Sequence, residues 1–335
     1  MKQPPPAPRA TVDLVIPLYN EEDVLEAFHQ QLIQVIDSLP YQFNIIYVND
    51  GSTDRTSTVL AGIAAADGRV IPLELSRNFG HQAALTAGMD RSSADYLITL
   101  DGDGQHPPRL IPEMLRLAAS GYDMVLTQRV ESSQVSAFKR WTSEAFYRLI
   151  NRLGDTNVLP GGADFRLLSR PVVQALQSMP EYHRFLRGMV AWVGFRSIIL
   201  PFQPPARLAG RSKYSLRKMV RLSMDAIFSF SLIPLYAGLS LGALFFVMAV
   251  IEAVYVLSFW ISGNTDRLAP GWSSLMFMLL IVGGLLMVLL GFIGVYIGYI
   301  FQEVKRRPVY ILRPPLTHSQ KQTPATQERH DRLAD

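Results

Sequence analysis

The sequence predicts an α/β protein: a mostly parallel, doubly wound sheet with one cleft, followed by two apolar helices. Three observations predict it. From Val12 to Arg129, short apolar runs ending in polar turns alternate with helical patterns. One of these runs, Tyr96-Leu97-Ile98-Thr99-Leu100, ends in Asp101-Gly102-Asp103-Gly104-Gln105, which places two carboxylates one residue apart. Two long stretches, residues 232–261 and 275–301, carry almost no charge, and roughly 20 apolar residues suffice to span a bilayer.

The elements follow in order. Residues 12–17 read as a first buried strand, 23–38 as a helix and 43–48 as a second strand. That strand ends in Asn49-Asp50-Gly51-Ser52-Thr53-Asp54, a turn in which Thr53 or Asp54 can cap the next helix. Residues 70–75 form a third strand ending at Arg77-Asn78-Phe79-Gly80. A short helix then carries Ala83, Ala84, Ala87 and Gly88, small enough for close packing on the sheet. The Tyr96 stretch is the fourth strand, 108–119 a helix and 122–127 a fifth strand. Strands alternating with helices argue a mostly parallel sheet, and parallel strands place their following turns on one edge. Asn20, Glu22, Asp50, Arg77, Asn78, Asp101, Asp103 and Arg129 are therefore expected around one cleft.

Two neighbouring carboxylates repel each other unless a cation sits between them. Oxygen ligands suit Mg²⁺ or Mn²⁺, which bridge to substrate phosphates. Asp101 and Asp103 thus read as a metal–diphosphate clamp; the plain alternative is an acidic turn.

Beyond Val130 the pattern changes. Residues 136–150 read as an amphipathic helix with Phe138, Trp141, Ala145 and Leu149 on one face and Lys139, Arg140 and Ser143 on the other, the plain alternative being a solvated basic face. Gly161-Gly162-Ala163 leads to a strand that opens with Asp164, a carboxylate that alternatively just pairs with Arg166 or Arg170. The loop from Arg207 through Gly210, Arg211, Ser212 and Lys213 to Tyr214 combines Gly, hydroxyl and cations, which suit phosphate oxygens. Residues 216–230 mix Lys218 and Arg221 with Met219, Leu222, Ile227 and Phe228, an interfacial helix ahead of the first span. Glu252 is the one charge in that span. Basic residues precede the pair of spans (Lys213, Arg217, Lys218, Arg221) and follow it (Lys305, Arg306, Arg307, Arg313), so both ends are expected in the cytoplasm.

The 335 residues contain no cysteine, which excludes disulfides and thiolate chemistry. The formal net charge is +4, and 49% of residues are hydrophobic, enough for a core as well as the spans. No apolar signal-peptide region opens the chain, so its first domain is expected to stay cytoplasmic. The expected organisation is a disordered tail at 1–10, a catalytic domain at 11–214, an interfacial helix at 215–231, two transmembrane helices at 232–301 and a cytoplasmic tail at 302–335, disordered after Pro315.

The ordered series Val15-Ile16-Pro17-Leu18-Tyr19-Asn20-Glu21-Glu22, Asn49-Asp50-Gly51-Ser52-Thr53-Asp54, Arg77-Asn78-Phe79-Gly80, Asp101-Gly102-Asp103-Gly104-Gln105, Ala163-Asp164-Phe165-Arg166-Leu167-Leu168, Gly210-Arg211-Ser212-Lys213-Tyr214 and Tyr296-Ile297-Gly298 resembles glycosyltransferase family two in its polyprenyl-phosphate branch. Within it, Ala191-Trp192-Val193-Gly194 is most similar to the bactoprenol glucosyltransferases. The resemblance implies a GT-A-type, Rossmann-like domain with a transmembrane hairpin. It implies that one sugar, best guessed as glucose from UDP-glucose, moves with inversion onto undecaprenyl or another polyprenyl phosphate. UDP-galactose, UDP-N-acetylglucosamine, GDP-mannose and UDP-aminoarabinose are the alternative donors, and a non-catalytic membrane scaffold is the alternative of another class.

By position, the resemblance puts Pro17, Tyr19, Glu22, Asp50 and Asn78 on the nucleotide and Asp101 on its ribose and metal side. Asp103 and Gln105 would hold Mg²⁺ or Mn²⁺. Arg129, Lys139, Arg140, Ser143, Arg207, Ser212 and Lys213 would meet phosphates of donor or lipid. Asp101, Asp103 and Asp164 are the catalytic candidates, with Asp164 on the acceptor side. The implied partners are the nucleotide sugar, the lipid phosphate and a bacterial inner membrane, with no nucleic acid; a homo-oligomer stays open.

Overall fold

The computed structural model describes residues 10–130, 159, 161–182, 184–203, 233–263 and 271–314. Seven strands form one sheet: β1 (Thr11–Leu18), β2 (Gln42–Asn49), β3 (Val70–Glu74), β4 (Tyr96–Thr99), β5 (Met124–Arg129), β6 (Gly162–Ser169) and β7 (Ser197–Phe202). The helices are α1 (Leu25–Ile36), α2 (Thr56–Ala66), α3 (His81–Arg91), α4 (Ile111–Ala119, preceded by a 3₁₀ turn at Pro108–Leu110), α5 (Arg170–Gln177), α6 (Leu186–Trp192), α7 (Ile233–Ile261) and α8 (Trp272–Val304).

The strand order is β3-β2-β1-β4-β6-β5-β7. All neighbours pair in parallel except that β6 runs antiparallel to both β4 and β5. The sheet is therefore mixed, with one reversed strand among parallel ones. The reversal matters for function: β6 begins at the edge where the other strands end. Pro72 and Pro201 lie on the two outer strands, β3 and β7, where a missing N–H is tolerated.

The period of two along β1 divides its side chains between two cores. Val12, Leu14, Ile16 and Leu18 join Leu25, Phe28 and Leu32 of α1, Leu60 of α2 and Ile111, Met114 and Leu115 of α4. Val15, on the opposite face, joins Ala84 and Ala87 of α3, Val172 and Leu176 of α5 and Met189 of α6. Helices on both faces confirm the doubly wound reading. The small residues of α3 do what their size suggests, since a Cβ at Gly88 would collide with the Val15 side chain.

Residues 197–202 and the helices α5 and α6 were not anticipated from the pattern. β7 breaks its apolar run with Pro201, and α6 is only seven residues long, too short for periodicity to declare itself. The expected amphipathic helix at 136–150 and interfacial helix at 215–231 lie outside the described residues.

Among the described residues, one helical segment, Ile281–Val304 within α8, is long and apolar enough to cross a membrane. α7 packs beside α8 where Gly238 leaves room for Leu289. After α8 the chain returns to the sheet. The Ser76 N–H donates to the Ile311 carbonyl at 2.8 Å and the Arg313 N–H to the Glu74 carbonyl at 2.7 Å. Leu75 and Leu312 form an antiparallel bridge, so this segment covers the otherwise open side of β3.

Candidate active site

The site is built by turns at the carboxyl edge of the sheet. The turns after β1 and β2 are zipped together. Asn20, held at φ 55°, accepts the Thr53 N–H on Oδ1 at 2.9 Å, and its own N–H donates to Ser52 Oγ at 3.0 Å. The Glu21 N–H donates to Thr56 Oγ1 at 2.9 Å. The Glu22 carboxylate accepts the Arg55 N–H at 2.9 Å and Arg55 Nε at 3.1 Å. The N-cap of α2 falls on Arg55, not on the expected Thr53 or Asp54; Asp54, one residue earlier, accepts the Thr56 N–H at 3.0 Å. Pro17 is buried behind this zip, while Tyr19 projects from it, 38% exposed.

Asp50 ties the β2 turn to the next one. It is buried, and its oxygens accept the Phe79 N–H at 2.7 Å and the Gly80 N–H at 2.9 Å. Burial pushes its carboxyl up, against the pull of those two bonds and of His81 and Arg77. Gly51 makes the approach feasible: at φ +61° it lies against the Arg77 backbone, where a Cβ would collide. Asn78 is exposed on the turn so formed, and Arg77 stacks on Phe79 with its Cζ 4.0 Å from the ring centre.

β4 delivers the acidic stretch. Asp101 and Asp103 are partly exposed. The Asp101 N–H donates to His106 Nδ1 at 2.8 Å, and Asp103 Oδ1 accepts the Gln105 N–H at 3.0 Å. Gln105, expected beside a metal, turns its Oε1 to Arg129 Nη1 at 3.3 Å. His106 is fully buried, stacked on Phe165 with ring centres 5.3 Å apart. Because Nδ1 accepts, the neutral ring carries its proton on Nε2. Burial, with Arg129 adding to it, holds the imidazole below its ordinary pKa despite the nearby carboxylates. Arg129 Nη2 lies 3.1 Å from Nε2.

The reversed strand brings Asp164 in. Thr99 pairs with Arg166, so continuing the antiparallel register by two residues sets Asp101 opposite Asp164. Thr99 Oγ1 donates to the Asp164 carbonyl at 2.5 Å, which fixes the strand start. The Asp164 carboxylate is buried and pairs with Arg166; Arg187 of α6 grips it through Nε at 3.1 Å and Nη2 at 2.8 Å. Burial alone would raise this carboxyl, but Arg187 and Arg166 outweigh it and hold it well below the ordinary range. His81, the first residue of α3, stands between the two strands. Its Nε2 is 3.5 Å from Asp101 Oδ1 and 3.6 Å from Asp164 Oδ2. Burial lowers its affinity for a proton; the two carboxylates overcome that and raise its pKa.

The structure thus gathers Asp50, Asn78, Asp101, Asp103, Gln105, Arg129 and Asp164 along one edge. Lys139, Arg140, Ser143, Arg207, Ser212 and Lys213 lie outside the described residues. Sequence reasoning missed His81, His106 and Arg187. His81 and His106 directly follow or close stretches already singled out, and a histidine there was a usable signal. Arg187 sits in a segment with no periodic pattern.

Among the described residues, no three His, Asp or Glu side chains converge as a ready-made metal cage. Mg²⁺ and Mn²⁺ on a diphosphate need fewer, commonly one or two carboxylates completed by phosphate and water oxygens. The donor set fits that pattern. Asp101 Oδ1 is shielded from solvent and has no hydrogen-bond partner among the described residues, with His81 Nε2 3.5 Å away.

An edge of turns bearing a carboxylate pair and cations suits a phosphate-bearing substrate. The family model Glycosyl transferase family 2 matches residues 13–177. The glycosyltransferase YkcC of Bacillus subtilis, itself uncharacterized, is 39% identical over 304 residues, covering 90% of this chain and 92% of its own. The SfII prophage-derived bactoprenol glucosyl transferase of Shigella flexneri is 36% identical over 306 residues, covering 90% and 97%. A solved mannosyltransferase of Pyrobaculum calidifontis, in complex with GDP-Man and Mn²⁺, aligns over 91% of this chain and 88% of its own with a TM-score of 0.45 and 15% identity. The chain belongs to glycosyltransferase family 2 and is a glycosyltransferase.

Proposed function

We propose that the protein transfers one sugar from a nucleotide donor to a polyprenyl phosphate at a membrane surface, with inversion at the anomeric carbon. UDP-glucose and undecaprenyl phosphate are the proposed pair, a choice supported by the 36% identity, over 90% of the chain, to a bactoprenol glucosyl transferase. The observation that carries the reading is the Asp101–Asp103 pair at the open edge of the sheet, with Asp101 opposite Asp164 of the neighbouring strand.

The β1 and β2 turns, with Tyr19 exposed over Pro17, are proposed to hold the base and ribose. Glu22 and Asp50 act there by shaping the turns that carry them. Asp103, with Asp101 beside it, would hold Mg²⁺ or Mn²⁺, which would neutralise charge on the donor diphosphate. Gln105 orients Arg129 toward the same phosphates. Lys139, Arg140, Ser143, Arg207, Ser212 and Lys213 are assigned to phosphate contacts from sequence alone.

A phosphate monoester has a second pKa of about 6 and is largely a dianion at neutral pH. Its oxygen can attack without surrendering a proton, so the protein's task is to hold two anions together. Cationic clamps do this directly. α7 and α8 are proposed to form the membrane hairpin, with the catalytic domain and both termini on the cytoplasmic side. The segment after α8, bonded to β3, would keep the cleft at a fixed height above the bilayer.

The test is transfer of label from nucleotide sugars into an organic-extractable lipid, with and without Mg²⁺ or Mn²⁺, using undecaprenyl phosphate. Metal-dependent labelling from UDP-glucose is expected. Labelling only from another sugar nucleotide would replace the donor; none from any donor would overturn the reading.

A further inference from the structure

Glu74, the last residue of β3, belongs to none of the motifs that build the site. It is half-buried and lies opposite Asn49 in the register of β2 and β3. Its oxygens accept from neutral groups. Oε2 takes Asn49 Nδ2 at 2.9 Å and Oε1 takes Ser57 Oγ at 2.6 Å. Asn49 Nδ2 gives its second hydrogen to Ser57 Oγ at 3.0 Å. At the other end of the same amide, Asn49 Oδ1 accepts the Ser52 N–H at 3.1 Å and Ser52 Oγ at 2.6 Å. Ser52 Oγ in turn accepts the Asn20 N–H at 3.0 Å. A line of hydrogen bonds therefore runs from β3, across the end of β2, into the turn after β1 that also carries Tyr19.

The chemistry of these groups gives the line a direction. A carboxylate only accepts and a backbone N–H only donates. Asn49 is buried between one of each. Its NH₂ must face Glu74 and its oxygen must face Ser52. The flipped amide would set oxygen against carboxylate and NH₂ against N–H. In the observed orientation both hydrogens and both lone pairs of the amide are used. Glu74 thus aims Asn49, and Asn49 holds Ser52. The backbone around Glu74 is fixed separately: its carbonyl accepts the Arg313 N–H at 2.7 Å, and the Leu75 N–H donates to the Asn49 carbonyl at 2.9 Å. The side chain can therefore be changed without releasing the strand.

Resting on the proposed placing of the donor base and ribose at the β1 and β2 turns, we infer that Glu74 is a positioning residue for the nucleotide. It aims Asn49 and, through Ser52, sets the turn that receives the base, without touching the nucleotide itself.

The experiment uses the full chain in detergent and compares wild type with Glu74→Ala, Glu74→Gln, Ser52→Ala and the Glu74→Ala/Ser52→Ala pair. Affinities for UDP and GDP with Mn²⁺ are measured by calorimetry, KM and kcat by label transfer, and backbone amides by hydrogen exchange. Glu74→Ala should weaken whichever nucleotide wild type binds by about three- to tenfold, the scale of one hydrogen bond. The donor KM should rise with it, while the KM for undecaprenyl phosphate stays unchanged. Exchange at the Ser52 amide should quicken. Glu74→Gln should bind nucleotide as wild type does, since its Oε1 can accept from Asn49 and its Nε2 can donate to Ser57 Oγ. Glu74→Met, which fills the same space without an acceptor, repeats the measurement should Glu74→Ala not fold. The double variant tests the line itself: the two losses of nucleotide affinity should fall short of adding, although Glu74 and Ser52 are joined only through Asn49. A lower melting temperature with unchanged nucleotide affinity in Glu74→Ala overturns the inference, as do fully additive losses. If wild type binds nucleotide, with the Glu74 effect, but labels no lipid, the transfer reading fails and the role of Glu74 stands. Wild type that binds neither nucleotide overturns both.

Discussion

The Asp50 carboxylate accepts the Gly80 N–H at 2.9 Å, joining the end of β2 to the entrance of α3 across 30 residues of chain. Its other oxygen takes the Phe79 N–H. One side chain therefore sets the turn from which Asn78 projects and the point from which His81 starts. Asp50→Ala leaves both backbone donors without a partner, at about 1–3 kcal/mol for each buried group. Asp50→Asn keeps one acceptor and should fall between. The expected outcome is a lower melting temperature together with weaker nucleotide binding, read by thermal unfolding and nucleotide titration of the same preparations. Unchanged nucleotide affinity in Asp50→Ala would separate the turn from the donor site.

Asp164 gives the pH dependence. Its folded pKa is depressed, so below about 3.9, the unfolded value, the unfolded chain binds the extra proton. Its contribution is full above that value and is lost as pH falls through it toward the folded pKa. Asp164→Asn, which leaves Arg166 buried without its counter-charge, should cost about 3–5 kcal/mol at neutral pH. The difference in melting temperature between wild type and Asp164→Asn should therefore shrink as the pH is lowered from 5 to 3. A constant gap would mean that the carboxylate is not held by these arginines.

The fold was legible where the chain obeys simple periods. β1, β2, β3 and the Asp101 stretch are apolar runs closed by polar turns, and the structure keeps each within a residue or two. The mixed character of the sheet was not legible, because residues 162–169 look the same as a strand in either direction. Only pairing with β4 and β5 fixes their sense. The convergence of Asp50, Asn78, Asp101 and Arg129 followed from parallel topology. The clasp on Asp164 did not, because Arg187 comes from a seven-residue helix and meets it only through tertiary packing. His106 shows the opposite case: it was in view beside Gln105, yet its burial against Phe165 and its bond to the Asp101 N–H depend on a neighbouring strand.

Asp103 is the direct test of the metal assignment. Its Oδ1 accepts one backbone N–H, a bond that Asn can retain, so Asp103→Asn removes charge with little change of shape. Loss of one electrostatic contact to a developing anion typically costs about 10²–10³ in kcat. Asp103→Asn should lose at least that much and need more Mn²⁺ for its residual rate, measured by label transfer against metal concentration. A normal rate with normal metal dependence would remove Asp103 from the metal site.

The segment after α8 can be loosened without touching the cleft. The Arg313 N–H donates to the Glu74 carbonyl, and Arg313→Pro deletes that donor. The Tyr310 hydroxyl, which donates to Asp90 at 3.1 Å, should hold the rest of the segment in place. The outcome expected is faster hydrogen exchange at the Ser76 amide, whose acceptor is Ile311, with protection in β1 and β4 unchanged. Equal exchange at Ser76 would show that this edge is held by the sheet alone.

Gly88 tests the packing that carries the site. It lies on α3 directly over Val15, and a Cβ there would strike Cγ1 of that valine. Both sites are buried, so neither side can yield to solvent. Gly88→Ala gains a helix-forming residue worth about 1 kcal/mol, but overpacking a filled core costs about 1–3 kcal/mol. The sum should be destabilising. Val15→Ala opens a cavity and is destabilising alone, typically by about 0.5–3 kcal/mol. In the double variant the new methyl fills part of the space the valine vacates. Thermal unfolding of the four proteins should therefore show the pair less destabilised than the two single losses added, with a positive coupling of about 0.5–3 kcal/mol. Additive losses would mean that α3 accommodates the methyl by moving, and the distance from His81 to Asp101 would then change in the single variant.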